Sequence, residues 1–252
     1  MAKSVIWITG AGKGIGRALA LELGARGNII AASARTQADL ETLAAEGAAR
    51  GASIYPYRLD VTDSDAVART AEAIARDLGP LDLAVLNAGT HSEVSADNFD
   101  LVEFRRVMET NVMGAANGLS ALLPGMTARR RGRIALVASV AGYRGLPSAG
   151  AYSASKAALI ALGEALKPEL DKAGVGLLLI NPGFVDTPLT RRNTFPMPFL
   201  MEPGEAAKII ADGLEKNRFE TVFPWQMTFL MKLLKILPYP IFFAITRRMV
   251  RN

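Results

Sequence analysis

The sequence predicts an α/β fold on one doubly wound parallel sheet, with an apolar, basic helical extension at its C-terminus. Three observations carry that expectation. Short apolar runs alternate with helical patterns at regular spacing from Val5 to Ile180. The runs are apolar throughout instead of alternating, as parallel strands covered on both faces should be. The first run opens into a glycine-rich turn and then a helix, the entry of a βαβ unit.

Taken in order, Val5-Ile6-Trp7-Ile8 reads as the first strand and Ile15 to about Arg26 as the first helix. Asn28 to Ser33 is the second strand. Leu40, Leu43 and Ala44 share one face of the next helix, as residues three and four apart do. Ser53 to Leu59 is a strand, and Ala66 to Leu78 an alanine-rich amphipathic helix. Leu81 to Leu86 is apolar again, and a helix follows around Phe99 to Leu123. Ile134 to Ala138, Tyr152 to Asp171 and Val175 to Ile180 complete the alternation as strand, helix and strand. The run Arg129-Arg130-Arg131 reads as a solvated turn.

Composition bounds the function. The chain has 252 residues, half of them hydrophobic and 21% charged, which fits one globular domain with a real core. The absence of cysteine excludes disulfides, thiol nucleophiles and thiolate-bound metals. A single histidine, His91, leaves little for a Ser-His-Asp triad or a multi-histidine metal site, so no metal is expected. His91 reads as a surface residue without a role. The net charge is +5, and residues 221–252 hold Lys232, Lys235, Arg247, Arg248 and Arg251 with no acid. Without those five the chain carries 24 basic and 24 acidic residues, which argues against nucleic-acid binding. No secretory signal and no membrane-spanning run is visible, so a cytoplasmic protein is expected.

The turn after the first strand reads Thr9-Gly10-Ala11-Gly12-Lys13-Gly14-Ile15-Gly16. Glycine permits positive φ and close backbone approach, and the following helix offers free N–H groups to a pyrophosphate. The G-x-G-x-x-G fingerprint fails because position 15 is Ile, and no P-loop ending occurs. A tight turn without a ligand is the alternative. NAD sites place an acid about 20 residues beyond the glycines. Here the stretch is Ala31-Ala32-Ser33-Ala34-Arg35, with no acid. Arg35, assisted by Lys13, would pair with a 2′-phosphate, so NADP(H) is preferred over NAD(H). Both cations read otherwise as solvated surface charges.

Four further pieces join the turn: Asn87-Ala88-Gly89 at a strand end, Asn111, Ser139 at a strand end, and Tyr152 with Lys156. The last two are spaced i, i+4, on one helix face. With TGxxxGIG and Pro182-Gly183, this ordered set resembles the short-chain dehydrogenase/reductase family over about residues 4–223.

That resemblance implies a Rossmann-type domain over 1–223 and makes 224–252 an extension, not an independent domain. It implies an oxidoreductase moving a hydride between nicotinamide and a ketone, aldehyde or secondary alcohol. Tyr152 would be the acid/base, and Lys156 would lower its pKa while binding the nicotinamide ribose. Ser139 would bond the substrate oxygen, and Asn111 would hold a water linking Lys156 to solvent. Ile15 is placed by the phosphates, Asp60 and Val61 near the adenine, and Asn87, Ala88 and Gly89 near the ribose. Asp60 reads alternatively as a turn former. Pro182, Gly183, Val185 and Thr187 are placed beside the nicotinamide, with Thr187 on its carboxamide. A homodimer or homotetramer through the helices near Asn111 and Tyr152 is implied as well. A non-catalytic nucleotide-sensing or scaffold protein on the same fold is the competing class.

The segment from Thr187 to Met201 reads as a cover over the substrate. Its apolar side chains suggest an oily carbonyl compound, while Arg191 and Arg192 suit an anionic tail. In the extension, Thr228, Lys232 and Lys235 form a polar stripe, and Phe229, Leu230, Leu233, Leu234 and Leu237 cover the rest. Such a tail suits an interfacial membrane anchor, and equally a cap over its own pocket or a contact with another subunit.

Overall fold

The computed structural model describes residues 3–193 and 195–250. The apolar runs become strands β1 (Val5–Thr9), β2 (Ile29–Ala34), β3 (Ser53–Arg58), β4 (Leu83–Leu86), β5 (Arg133–Val137) and β6 (Gly176–Pro182), joined by β7 (Glu220–Phe223). They form one sheet in the order β3-β2-β1-β4-β5-β6-β7, and every neighbouring pair is parallel. Strand order reverses between β1 and β4, the switch point where open α/β sheets bind ligands beyond their carboxyl ends.

Helices α1 (Gly14–Ala25), α2 (Gln37–Ala49) and α7 (Pro203–Glu215) cover one face. Leu19, Leu23, Leu40, Leu43 and Ile210 pack there against Ile6, Ile8 and Ile30. Helices α3 (Ser64–Leu78), α5 (Gly114–Ala128) and α6 (Gly150–Lys172) cover the other. Val67, Ile74, Leu119, Leu122 and Leu159 meet Trp7, Leu86 and Leu136 there. Each fully buried aliphatic side chain contributes roughly 1.5–3 kcal/mol. The start of α3 is fixed by Asp63, whose carboxylate accepts from the Ala66 N–H at 2.9 Å.

Two sequence expectations need correction. Strand β3 is not apolar throughout: Tyr55 is exposed and Pro56 interrupts it. It is an edge strand, where a missing N–H breaks no ladder. The single helix expected around Phe99 to Leu123 is three pieces, α4 (Leu101–Met108), a π turn over Glu109–Met113, and α5. Helix α7 is an addition.

The chain closes with α8 (Trp225–Ile236) and α9 (Tyr239–Thr246). Met227, Met231, Leu234 and Phe242 belong to the same apolar cluster as α3, α5 and α6. No helix among the described residues is long and apolar enough to cross a membrane.

Candidate active site

The carboxyl ends of β1, β4, β5 and β6 open onto a cleft of about 190 Å³. On one wall stand Gly10, Lys13, Gly14, Ile15 and Gly16; on the other Ser139, Tyr152, Lys156, Pro182, Gly183, Val185 and Thr187. Asn87 and Gly89 lie between them. Residues far apart in the chain converge here because β1 and β4 are neighbours across the switch point.

The glycine wall is built by close approach. Gly10 and Gly14 have φ of +67° and +55°. A Cβ on Gly16 would fall 2.4 Å from the Gly10 carbonyl oxygen, so only glycine fits. Asn87 pins the turn: its Nδ2 donates to the Thr9 carbonyl at 2.9 Å and to that of Gly10 at 3.2 Å. Its amide is thus engaged with the protein's own backbone. Ala88 sits beneath Gly10 rather than in the cleft. No side chain caps the first turn of α1. Its N–H groups and positive dipole end suit an anionic phosphate, so the wall fits the pyrophosphate of a dinucleotide.

The opposite wall carries the reactive groups. Tyr152 and Lys156 rise from the first turns of α6, with Lys156 Nζ 5.6 Å from the Tyr152 ring centroid. Lys156 is buried, and Nζ donates to the Val137 carbonyl at 2.8 Å. Burial pulls its pKa down to about 8. The Tyr152 phenol shifts the other way. Burial pushes it up, and a hydrogen bond with Ser139 offsets part of that rise. The expected lowering by Lys156 is therefore absent in this arrangement: the ammonium faces a carbonyl, and desolvation dominates. Ser139 Oγ also donates to the Pro182 carbonyl at 3.2 Å and accepts from the Ala141 N–H at 3.1 Å.

Asn111 stands behind this wall, buried in the π turn. Its Oδ1 accepts from the Thr90 N–H at 2.7 Å, and its Nδ2 donates to the Thr90 carbonyl and to Ser155 Oγ. The side chain clamps the loop after β4 to α6, so its amide is committed to protein partners. Thr187 packs its methyl group against Gly14, and its hydroxyl lies 3.2 Å from that of Thr190.

Besides Ala88 and Asn111, three anticipated residues stand outside the cleft. Arg35 is exposed at the end of β2. Asp60 is exposed, and its carboxylate accepts from the N–H and hydroxyl of Thr62, the turn-forming alternative. Val61 is buried against Gly114. Lys13 is not a free cation: it pairs with Asp39 at 3.3 Å. Arg191 is likewise taken, donating to both oxygens of Asp186 at 2.7 and 3.0 Å. His91 needs the largest correction. It is partly buried, with its ring edge-on to Tyr152 at 5.2 Å between centroids. Its Nδ1 is buried without a partner among the described residues, and burial lowers its pKa. A loop histidine's neighbour across 61 residues of chain leaves no local sequence signal.

A doubly wound sheet with a phosphate-suited turn and a Tyr-Lys pair on one cleft defines a nucleotide-dependent oxidoreductase of Rossmann type. The comparisons give the family: the short chain dehydrogenase model matches residues 4–196, and the chain belongs to that family. It is 43% identical over 242 residues to an uncharacterized oxidoreductase of Myxococcus xanthus, covering 96% of both chains. A short-chain dehydrogenase/reductase from Burkholderia phymatum in complex with NAD superposes with a TM-score of 0.85, at 27% identity over 92% of each chain. An alcohol dehydrogenase from Thermococcus sibiricus, complexed with 5-hydroxy-NADP, gives 0.79 at 27% identity over 88% of this chain and 96% of that one.

Proposed function

We propose that this protein is an NADP(H)-dependent oxidoreductase interconverting an apolar ketone or aldehyde and its alcohol, with Tyr152 as acid/base. The observation that carries the reading is the convergence of Ser139, Tyr152 and Lys156 on the cleft that the glycine turn also lines. The nicotinamide cofactor supplies the hydride when bound. Tyr152 Oη gives the carbonyl oxygen its proton in reduction and takes it back in oxidation. Ser139 Oγ, turning its single proton away from the Pro182 carbonyl, donates to the same oxygen. Lys156, whose pKa burial pulls down to about 8, holds an exchangeable proton on the Tyr152 side of α6. The NADP(H) preference rests on Arg35 and Lys13, against the counter-charge of Asp39. The apolar substrate class rests on Phe199 and Leu200, exposed in the covering segment.

Residues 1–223 form the catalytic unit in this reading, and 224–252 an extension sharing its core. Exposed Leu101, Val102 and Met113 support a homo-oligomeric contact near Asn111, which sedimentation velocity reads directly.

Calorimetric titration with NADPH and NADH, paired with turnover of apolar ketones and aldehydes, tests the assignment. NADPH binds more tightly, and Arg35→Ala erases the difference. Tyr152→Phe lowers turnover by about 10²–10⁴ while sparing cofactor binding. Tighter NADH binding overturns the cofactor preference. Binding of neither nucleotide, with no turnover, returns the scaffold reading; unchanged turnover in Tyr152→Phe removes Tyr152 as the acid/base.

A further inference from the structure

We propose that α8 and α9 dock flat on a lipid bilayer containing anionic phospholipid and hold the protein there peripherally. Helix α8 has two apolar faces. Met227, Met231 and Leu234, at i, i+4 and i+7, are buried in the body. Trp225, Phe229, Leu233 and Ile236 fall on the opposite face at matching helical spacing and are 74%, 67%, 43% and 76% exposed. A helix that only closes a core needs one apolar stripe and presents polar residues to water. In α9, Phe242 is buried while Tyr239, Ile241, Phe243 and Ile245 are exposed. Arg144 fixes this element, its guanidinium 4.5 Å from the Tyr239 centroid and 4.4 Å from that of Phe242.

Charge selects the occupant. The segment from 221 to 252 has five cations and no acid, and it accounts for the whole net charge of the chain. Lys232 is neutralised by Glu220 at 2.9 Å, and Lys235 lies 5.7 Å from the Tyr143 ring centroid. Arg247 and Arg248 are exposed at the end of α9. A second copy seated symmetrically on this face would bring like charges together. An anionic lipid surface supplies the opposite sign, and exposed Trp225 and Tyr239 suit its polar–apolar boundary. The helices are too short to span, so they lie in the interface.

Flotation of the full chain with vesicles of phosphatidylcholine, alone or mixed with phosphatidylglycerol, tests the proposal. The protein floats with the anionic vesicles and less with the neutral ones, and added salt weakens binding. Arg247→Glu/Arg248→Glu weakens it about tenfold or more. Phe229→Ser/Ile236→Ser abolishes it, with an unchanged melting temperature showing the body intact. Failure to float with either vesicle overturns the proposal. If the same serine variant instead converts a lipid-free oligomer to a smaller species, the face belongs to a second copy. Equal binding to both vesicle types removes the anionic-lipid assignment.

Discussion

The cleft and the C-terminal helices use side chains in opposite ways. In and directly behind the cleft, Asn87, Asn111 and Lys156 are polar and buried or partly buried, and each finds its partner inside the fold. Along α8, Phe229 and Ile236 are apolar and lie in water. The helix is nevertheless fastened along one flank. Tyr143 and Asn181 both donate to Glu220, which also takes the ammonium of Lys232. The difference teaches how to read surplus. A buried polar group that is satisfied explains itself through the fold, whereas an exposed apolar face on a firmly held helix points outside it.

Four substitutions sharpen or break that contrast. The largest effect is expected on the inner face of α8, where Met231→Ala should cost about 2–5 kcal/mol in chemical denaturation. A loss under about 0.5 kcal/mol would mean that α8 is not part of the core.

Lys156→Met comes next, and its sign is opposite. Lys156 has a pKa of about 8 in the folded protein against an ordinary 10.5, so burial disfavours its charge. The penalty is complete below pH 8. It fades as pH rises toward 10.5, because the unfolded chain there holds a proton the native state has released. Removing the amine should stabilise the protein at pH 7 by up to about 3 kcal/mol. The orphaned Val137 carbonyl takes back part of that gain. Unfolding curves at pH 7 and pH 10 check it: the gap between variant and parent narrows at the higher pH. A gap independent of pH would sink the desolvation argument.

Gly16→Ala forces a methyl group against the Gly10 carbonyl and Asn87 Nδ2. Overpacking of this kind costs roughly 1–3 kcal/mol. Because the displaced atoms form the turn, nucleotide affinity measured by calorimetry should fall as well. Wild-type affinity in this variant would remove the turn from the nucleotide site. The smallest effect belongs to the outer face. Phe229→Ser should change stability by no more than about 0.5 kcal/mol, read in the same denaturation assay as Met231→Ala.

Most of the architecture was readable because a buried parallel strand leaves a dense signature. Val5 to Thr9 and Ile134 to Val137 are apolar at nearly every position. The cleft was readable where function depends on residue type at fixed spacing, as with the glycines of the first turn and the Tyr152–Lys156 pair. What escaped depends on distance through space. The Lys13–Asp39 pair joins a turn to the next helix but one element away, and His91 meets Tyr152 through tertiary packing alone. The tail misled differently. Its wheel placed Thr228, Lys232 and Lys235 correctly on one flank, but amphipathicity could not say which apolar arc faces the body. Edge strand β3 broke the all-apolar rule because it has one neighbour, not two.

The π turn at Glu109–Met113 acts as a phase shifter. An α-helix advances about 100° per residue, so one residue added to a turn rotates everything downstream by about that angle. Before the turn, Val107 and Phe104 point into a small cluster with Val94 and Ala151. After it, Ala115, Leu119 and Leu122 point into the main core. A single rod without a loop thereby serves two neighbours that lie in different directions. The residue at the change of phase, Asn111, ties the rod to both Thr90 and Ser155. Deleting one residue there would leave a smoother helix whose second half faces the wrong way.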